Sequence, residues 1–402
     1  MKLRFNTSGL LSLVAVCGLL TLVSCNREGC TDSLATNYDD KADSDDGTCD
    51  YAVVAPDEYA FFDNEGNLTV SIDGQKQRQY MLSEMTSYMK SANTPGVAID
   101  GSVLLSMYAN DGYTWNDVEN LVMTGSSKQL RSKTAGGDDT IISMFEGFMT
   151  DLAAASATTV ADVTDGGAGT TGVVLSTTNA SKQYLQNGQG QEWTQLIEKG
   201  LMGACFYYNI SSVYLAPAKM DVDNEAIVEG KFYTTMEHHF DEAFGYFTMS
   251  ADYPTTGTDK FWAKYAFELE TSELQSASKL SAAFRLGRAA IVADDMTVRD
   301  QQIEVIREEL ELVAGGTAIH YLNGAIENFG DDALRNHELS EAKAFIMALP
   351  YGANTSVDLS ASNTILSNLG DDFYNVTTGS ITDARDAVAA ALGISASIAE
   401  GL

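Results

Sequence analysis

Residues 237–247 read EHHFDEAFGYF and place two of the chain's four histidines side by side among three carboxylates. Imidazole is the commonest metal ligand and acid/base group near neutral pH. A helical step of about 100° per residue puts Met236, Phe240, Ala243, Phe244 and Phe247 in one apolar stripe. His239 then borders one edge of that stripe and Glu237 the other. His238 and Glu242 stand four residues apart on the opposite side, and His239 and Glu242 three apart, so either pair can touch. His238, His239 and Glu242 are therefore the candidate metal or cation ligands. Two or three ligands from one helix do not close a coordination sphere, so a further ligand must come from another element. The alternative is a hydrogen-bonded structural cluster. No catalytic residue stands out.

The other histidines are His320, in AIHYLNGAIENF, and His337, in RNHELSEAKAFIMAL, where Glu341 follows four residues later. Arg285 and Arg288 in FRLGRAAI lie one turn apart and are expected to form ion pairs with the Glu308, Glu309 and Glu311 run.

Positioning these residues falls to helices. Apolar residues recur at three- and four-residue spacing over 75–91, 101–110, 140–157, 192–215, 224–249, 259–295 (with a possible break), 297–328, 333–349, 360–369 and 382–392. Residues 158–181 are rich in Thr and Gly and read as a long loop. Between residues 56 and 74, two runs of strand-forming residues flank Asp63-Asn64-Glu65-Gly66-Asn67, which predicts a β-hairpin. The five prolines fall outside the long helical stretches. The expected fold is all-α, a set of helical bundles over 56–402 with a small N-terminal β-hairpin.

The first 24 residues read as a lipoprotein signal peptide. Lys2 and Arg4 precede an apolar run too short to span a bilayer, and Leu22-Val23-Ser24-Cys25 fits a cleavage site before a lipidated cysteine. Cys25 is then the membrane anchor. Asn26 is not an inner-membrane retention aspartate, which favours the outer membrane, on either its periplasmic or its surface face. Net charge is −32, with 24 basic residues. Phosphate backbones need cationic surface, so nucleic acid is excluded as an expected partner.

Residues 25–55 hold the anchor and a short acidic module. Cys30 and Cys49 bracket it in an oxidising compartment, and a disulfide between them is expected. Asp32, Asn37, Asp39, Asp43, Asp45 and Asp46 offer the oxygen-rich chemistry that suits calcium. The segment resembles cysteine-bounded modules similar to thrombospondin type 3 repeats. Calcium site and disulfide-closed spacer are both open readings. Cys205, in GLMGACFYY, reads as a buried small hydrophobe.

His239-Phe240-Asp241-Glu242 matches the HxxE core of the imelysin-like proteins, whose longer signature is GxHxxE; Glu237 occupies the glycine position. HHFDEAFGYF, SAAFRLGRAA, AIHYLN and HELSEAKAFIMAL together resemble a Bacteroidetes lipoprotein family encoded beside imelysin-like genes. The resemblance implies two bundle halves and a link to iron or haem acquisition at the envelope, with His239 and Glu242 inheriting the motif's role. The expected function is an envelope-anchored binding or accessory protein, with iron or another divalent metal, haem or an uptake component as partner. Two alternatives stand beside it. One is a metal-dependent hydrolase of the imelysin-like peptidase type, against which the absence of an HExxH helix counts. The other is a structural envelope interaction protein without metal.

Overall fold

The apolar stripes fold as amphipathic helices around one continuous core. The computed structural model describes residues 27–31, 36–46, 48, 50, 52–118, 121–255, 260–271 and 273–402. The chain divides into two compact units, Met1–Ala52 and Val53–Leu402.

In the first unit the short strands β1 (Glu28–Gly29) and β2 (Ser44–Asp45) pair in parallel. The second unit is predominantly helical. In chain order its first elements are α1 (Asp73–Ser91), α2 (Gly101–Ala109), α3 (Asp139–Ser156), strands β3 (Gly172–Leu175) and β4 (Gln183–Gln186), and α4 (Trp193–Leu201). Next come α5 (Pro217–Met220), α6 (Thr235–Phe247), α7 (Phe261–Glu268), α8 (Ser276–Val292) and α9 (Met296–Glu327). Last are α10 (Asp332–Ala348), α11 (Leu359–Leu369), α12 (Thr378–Ala391) and α13 (Ala396–Gly401). The 32-residue α9 is the hub and packs against α8, α10 and α12, while α10 also packs on α4. Helix starts are set by short polar caps: Asp138, Asp331 and Asp358 each accept backbone N–H groups of α3, α10 and α11.

Beyond α4 the helix continues in widened π turns, Met202–Tyr207 and Asn209–Tyr214. Such turns loosen the backbone ladder. Here the Met202 carbonyl accepts from the indole of the fully buried Trp262 at 2.8 Å, and the Cys205 carbonyl from Asn209 Nδ2 at 2.6 Å. Cys205 is itself fully buried in the core, where it was expected.

Three expectations change. The 56–74 hairpin reduces to a single antiparallel bridge, Phe62 to Leu68, around an Asp63 turn. The hairpin proper is β3–β4, inside and just beyond the stretch read as loop; its core-facing Val173 and Leu185 compensate for a Gly/Thr-rich sequence. The 224–249 helix starts only at Thr235, because Thr234 and Glu237 form a reciprocal capping box and Asn224 is drawn off to the Ile291 carbonyl at 2.8 Å. The break allowed for in the 259–295 stretch is present: it is two helices, α7 and α8, separated by seven residues. One core of buried side chains runs from Tyr59 to Ala399. No described helix is long and apolar enough to cross a membrane.

Candidate functional site

The stripe on α6 packs as its spacing dictates, with Met236, Phe240, Ala243, Phe244 and Phe247 all buried. Gly245 allows close approach to α1: a Cβ there would lie 2.8 Å from that of Ile72. His239 borders the stripe and is held by one residue at both ring nitrogens. Nδ1 donates to the Lys219 carbonyl at 2.9 Å, and Nε2 accepts from the Lys219 ammonium at 3.2 Å. Burial pushes its pKa down, with the neighbouring ammonium adding to the effect. Glu242 accepts from Gln75 Nε2 at 2.9 Å and lies 4.0 Å from His238 Nε2. His238 stacks on Tyr233 with ring centroids 4.5 Å apart, and burial lowers its pKa as well. The structure thus brings His238 and Glu242 together and directs His239 to Lys219. Among the described residues, no group of three or more His, Cys, Asp or Glu side chains is placed to hold a metal ion.

The opposite flank of α6 carries a cluster that the spacing did not reveal. Arg288 of α8, fully buried, donates to Asp241 Oδ1 at 2.9 Å, to Glu237 Oε1 at 2.8 Å and to Thr69 Oγ1 at 3.1 Å. Tyr59 adds its hydroxyl to the same Asp241 oxygen at 2.8 Å and stacks on Phe244. Glu237 also closes the capping box by accepting from the Thr234 N–H at 2.7 Å. Burial pushes the Asp241 carboxyl up to about 6, against the pull of Arg288. Arg288 was expected to pair with the 308–311 carboxylates; it instead pairs with α6, while Arg285 donates to the Pro56 and Asp57 carbonyls at 3.0 and 2.7 Å. Glu237, at the glycine position of the longer signature, is therefore a structural ligand of Arg288. The available signal was a second i,i+4 acidic pair, Glu237 and Asp241, beside an aromatic stripe.

In the acidic module the carboxylates serve local turns. Asp39 pairs with Arg27 at 2.8 Å, Asp43 accepts from the Arg27 N–H at 3.4 Å, and Asp46 accepts from the Thr48 N–H at 2.9 Å. Asn37 accepts from the Asp50 N–H at 2.8 Å. Asp45 lies in β2. Cys30 is buried. Asp32, Cys25 and Cys49 lie outside the described residues.

The largest concentration of exposed cationic chemistry is elsewhere. Two adjoining hollows, of about 290 and 410 Å³, share Lys90, Lys199, Lys264 and Tyr265 and form one recess among α1, α4, α7, α10 and β4. Lys182 and Lys260 also line it, so five of the chain's 14 lysines meet there, against Glu192, Glu198 and Glu341. Lys199 is buried between Glu198 at 3.1 Å and Glu341 at 3.5 Å; burial favours its neutral form, but the two carboxylates outweigh that and keep it charged. His337 forms the far wall. It stacks on Tyr184 at 4.0 Å and donates from Nδ1 to Glu192 at 2.6 Å. Burial opposes its charge, but Glu192 and then Glu341 raise its pKa above the ordinary value. Lys260 donates to Ser83 Oγ at 2.7 Å and has no carboxylate partner among the described residues. Among the described residues, three buried polar atoms of the lining, Thr86 Oγ1, Gln195 Oε1 and Glu198 Oε2, have no hydrogen-bond partner, although Glu198 Oε2 lies 3.1 Å from the Lys199 ammonium. His320, by contrast, donates to the C-terminal Leu402 carbonyl oxygen at 2.6 Å and plays no part in the recess.

The recess offers cationic charge, hydroxyl donors and aromatic walls, and its one buried lysine is locked in ion pairs. No curated protein and no solved structure matches the chain. A family match covers residues 56–395, which is nearly the whole of the helical unit, and the chain belongs to the family described as Domain of unknown function (DUF4856).

Proposed function

We propose that this is a ligand-binding protein of a bacterial cell envelope, tethered to the outer membrane through a lipid on Cys25 and serving iron or haem acquisition. The observation that carries the binding role is the recess, where five lysines gather in a chain of net charge −32. A local field opposite to that of the whole surface selects what enters. The tether is supported by the Leu22–Cys25 pattern. The iron or haem role, the imelysin-like arrangement of bundle halves, and a calcium-binding or spacer module closed by Cys30 and Cys49 are supported by the sequence resemblances. The recess is favoured over His239 and Glu242 as the ligand site because both ring nitrogens of His239 are already engaged.

The test is made in cells. Deleting the gene should slow growth under iron limitation, and the wild-type copy should restore it. A Cys25→Ser copy should not incorporate labelled fatty acid and should leave the membrane fraction. Equal growth of deletion and parent on limiting iron and on haem as sole iron source would overturn the role in acquisition.

A further inference from the structure

The recess is most cationic where α7 begins, and the construction there runs against the usual rules for a helix start. The first N–H groups of any helix lack intrahelical acceptors and carry the positive end of the helix dipole. Asp, Asn, Ser or Thr normally supplies the missing acceptor. At α7 the capping position is Lys260, and no side chain caps the helix. Lys264 follows one turn later and lines the same hollow, so the Lys260 ammonium sits on the end of the helix that already repels it, with a second ammonium on the next turn. Phe261, the first helical residue, holds a left-handed backbone with φ of +55°, which is costly for a bulky side chain. It too lines the recess.

Facing this helix start, α1 contributes Lys90 and the hydroxyls of Ser83 and Thr86. Thr86 is 6 % exposed and its hydroxyl has no partner. Lys90 and Lys264 do have acidic neighbours, Glu198 at 3.5 Å and Glu268 at 3.0 Å, but both side chains are half-exposed. Glu198 is itself neutralised by Lys199. Among the described residues this hollow sets Lys90, Lys199, Lys260 and Lys264 against one lining carboxylate, Glu198, and the unpartnered Thr86 hydroxyl is an observation independent of the lysines.

We propose that this end of the recess binds an oxyanion, a phosphate or carboxylate group carried by the ligand, between Lys260 and Lys264 at the start of α7 and Lys90 and Thr86 of α1. The inference rests on the recess being the ligand site. It adds the chemical class of what is bound. Helix starts accept anions because backbone donors and dipole act together, and ammonium groups strengthen that pull with charge-assisted hydrogen bonds.

The full-length protein in a neutral detergent is titrated at low ionic strength with inorganic phosphate and, separately, with citrate. Glucose serves as the uncharged control. Binding is read by calorimetry and by the fluorescence of Trp262. One or both anions should bind saturably, glucose should not, and the preferred anion tells phosphate from carboxylate recognition. Lys260→Gln/Lys264→Gln should weaken binding at least about tenfold, the Arg/Arg pair should recover part of it, and Lys231→Gln should change nothing. Amine-reactive footprinting of the wild-type protein avoids any folding defect in the variants: the anion should protect Lys260 and Lys264 but not Lys231. No saturable binding of either anion, or binding that the double variant and the footprint leave unchanged, would overturn the proposal. Failure here with the iron-limited growth defect intact removes the anion and keeps the acquisition role. Anion binding without a growth defect does the reverse.

Discussion

The Arg288 cluster and the lysine recess are both dense in charge, and they are built in opposite ways. At Arg288 the guanidinium is sealed from water, each of its three nitrogens has an acceptor, and those acceptors come from α6 and from Thr69. In the recess four of the five lysines reach solvent, and Lys260 meets the Ser83 hydroxyl and the Tyr80 ring but no carboxylate among the described residues. A closed network fixes helices against each other, whereas an open one leaves cations available to something else. The difference separates the part of α6 that holds the fold from the recess proposed to recognise a ligand.

The strongest way to test that division is to open the closed network. Arg288→Ala strands Asp241 and Glu237 as buried carboxylates, and loss of one partner of a buried ion pair costs about 3–5 kcal/mol. Urea unfolding should show that loss. Arg288→Met combined with Asp241→Leu should cost less than Arg288→Ala, because it removes the fully buried carboxylate along with its partner and leaves only Glu237, which keeps its bond from the Thr234 N–H. A double variant as damaged as the single would mean that Arg288 does more than balance the charge of α6.

The wall of the recess offers a test of intermediate size through His337. Burial alone would keep this imidazole neutral, but Glu192 and Glu341 outweigh it and raise its pKa. A raised histidine pKa means that the folded state binds the proton more tightly than the unfolded chain. Its contribution is complete below the unfolded value, about 6.5, and is lost as pH rises through the folded value. His337→Gln should remove this segment of the stability profile. It also leaves the fully buried Glu192 without its 2.6 Å partner, an expected cost of about 1.5–3 kcal/mol at pH 6. Parallel stability curves for wild type and variant between pH 5 and 8 would count against a charged His337.

These two regions also show what sequence reasoning can reach. Helix positions along 75–91, 140–157 and 297–328 were legible because apolar residues recur at three- and four-residue spacing, and the structure places them at Asp73–Ser91, Asp139–Ser156 and Met296–Glu327. The late start of α6 was also written in the chain, as Thr234-x-x-Glu237, but the apolar residues upstream outweighed it. Arg288 was visible as a cation, yet its partner depends on how α8 packs across α6, which spacing within one helix does not encode. The recess was the hardest to see. Its lysines stand at 90, 182, 199, 260 and 264, on elements whose only link is the tertiary fold. Individually each looks like an ordinary solvated charge.

The smallest expected effect is at the pair that first drew attention, and its smallness is informative. His238 and Glu242 are 4.0 Å apart and partly solvated, so their attraction is worth less than about 0.5 kcal/mol. Glu242→Gln keeps the acceptor for Gln75 and should barely shift the unfolding midpoint. If the recess is the ligand site, Glu242→Gln should also leave phosphate or citrate binding and the metal content of the purified protein unchanged, while Lys260→Gln/Lys264→Gln weakens anion binding. Elemental analysis is decisive for α6. A stoichiometric metal that disappears in Glu242→Gln would return the functional assignment to α6 and would require Lys219 to release His239, because a coordinated Nε2 cannot also accept from an ammonium.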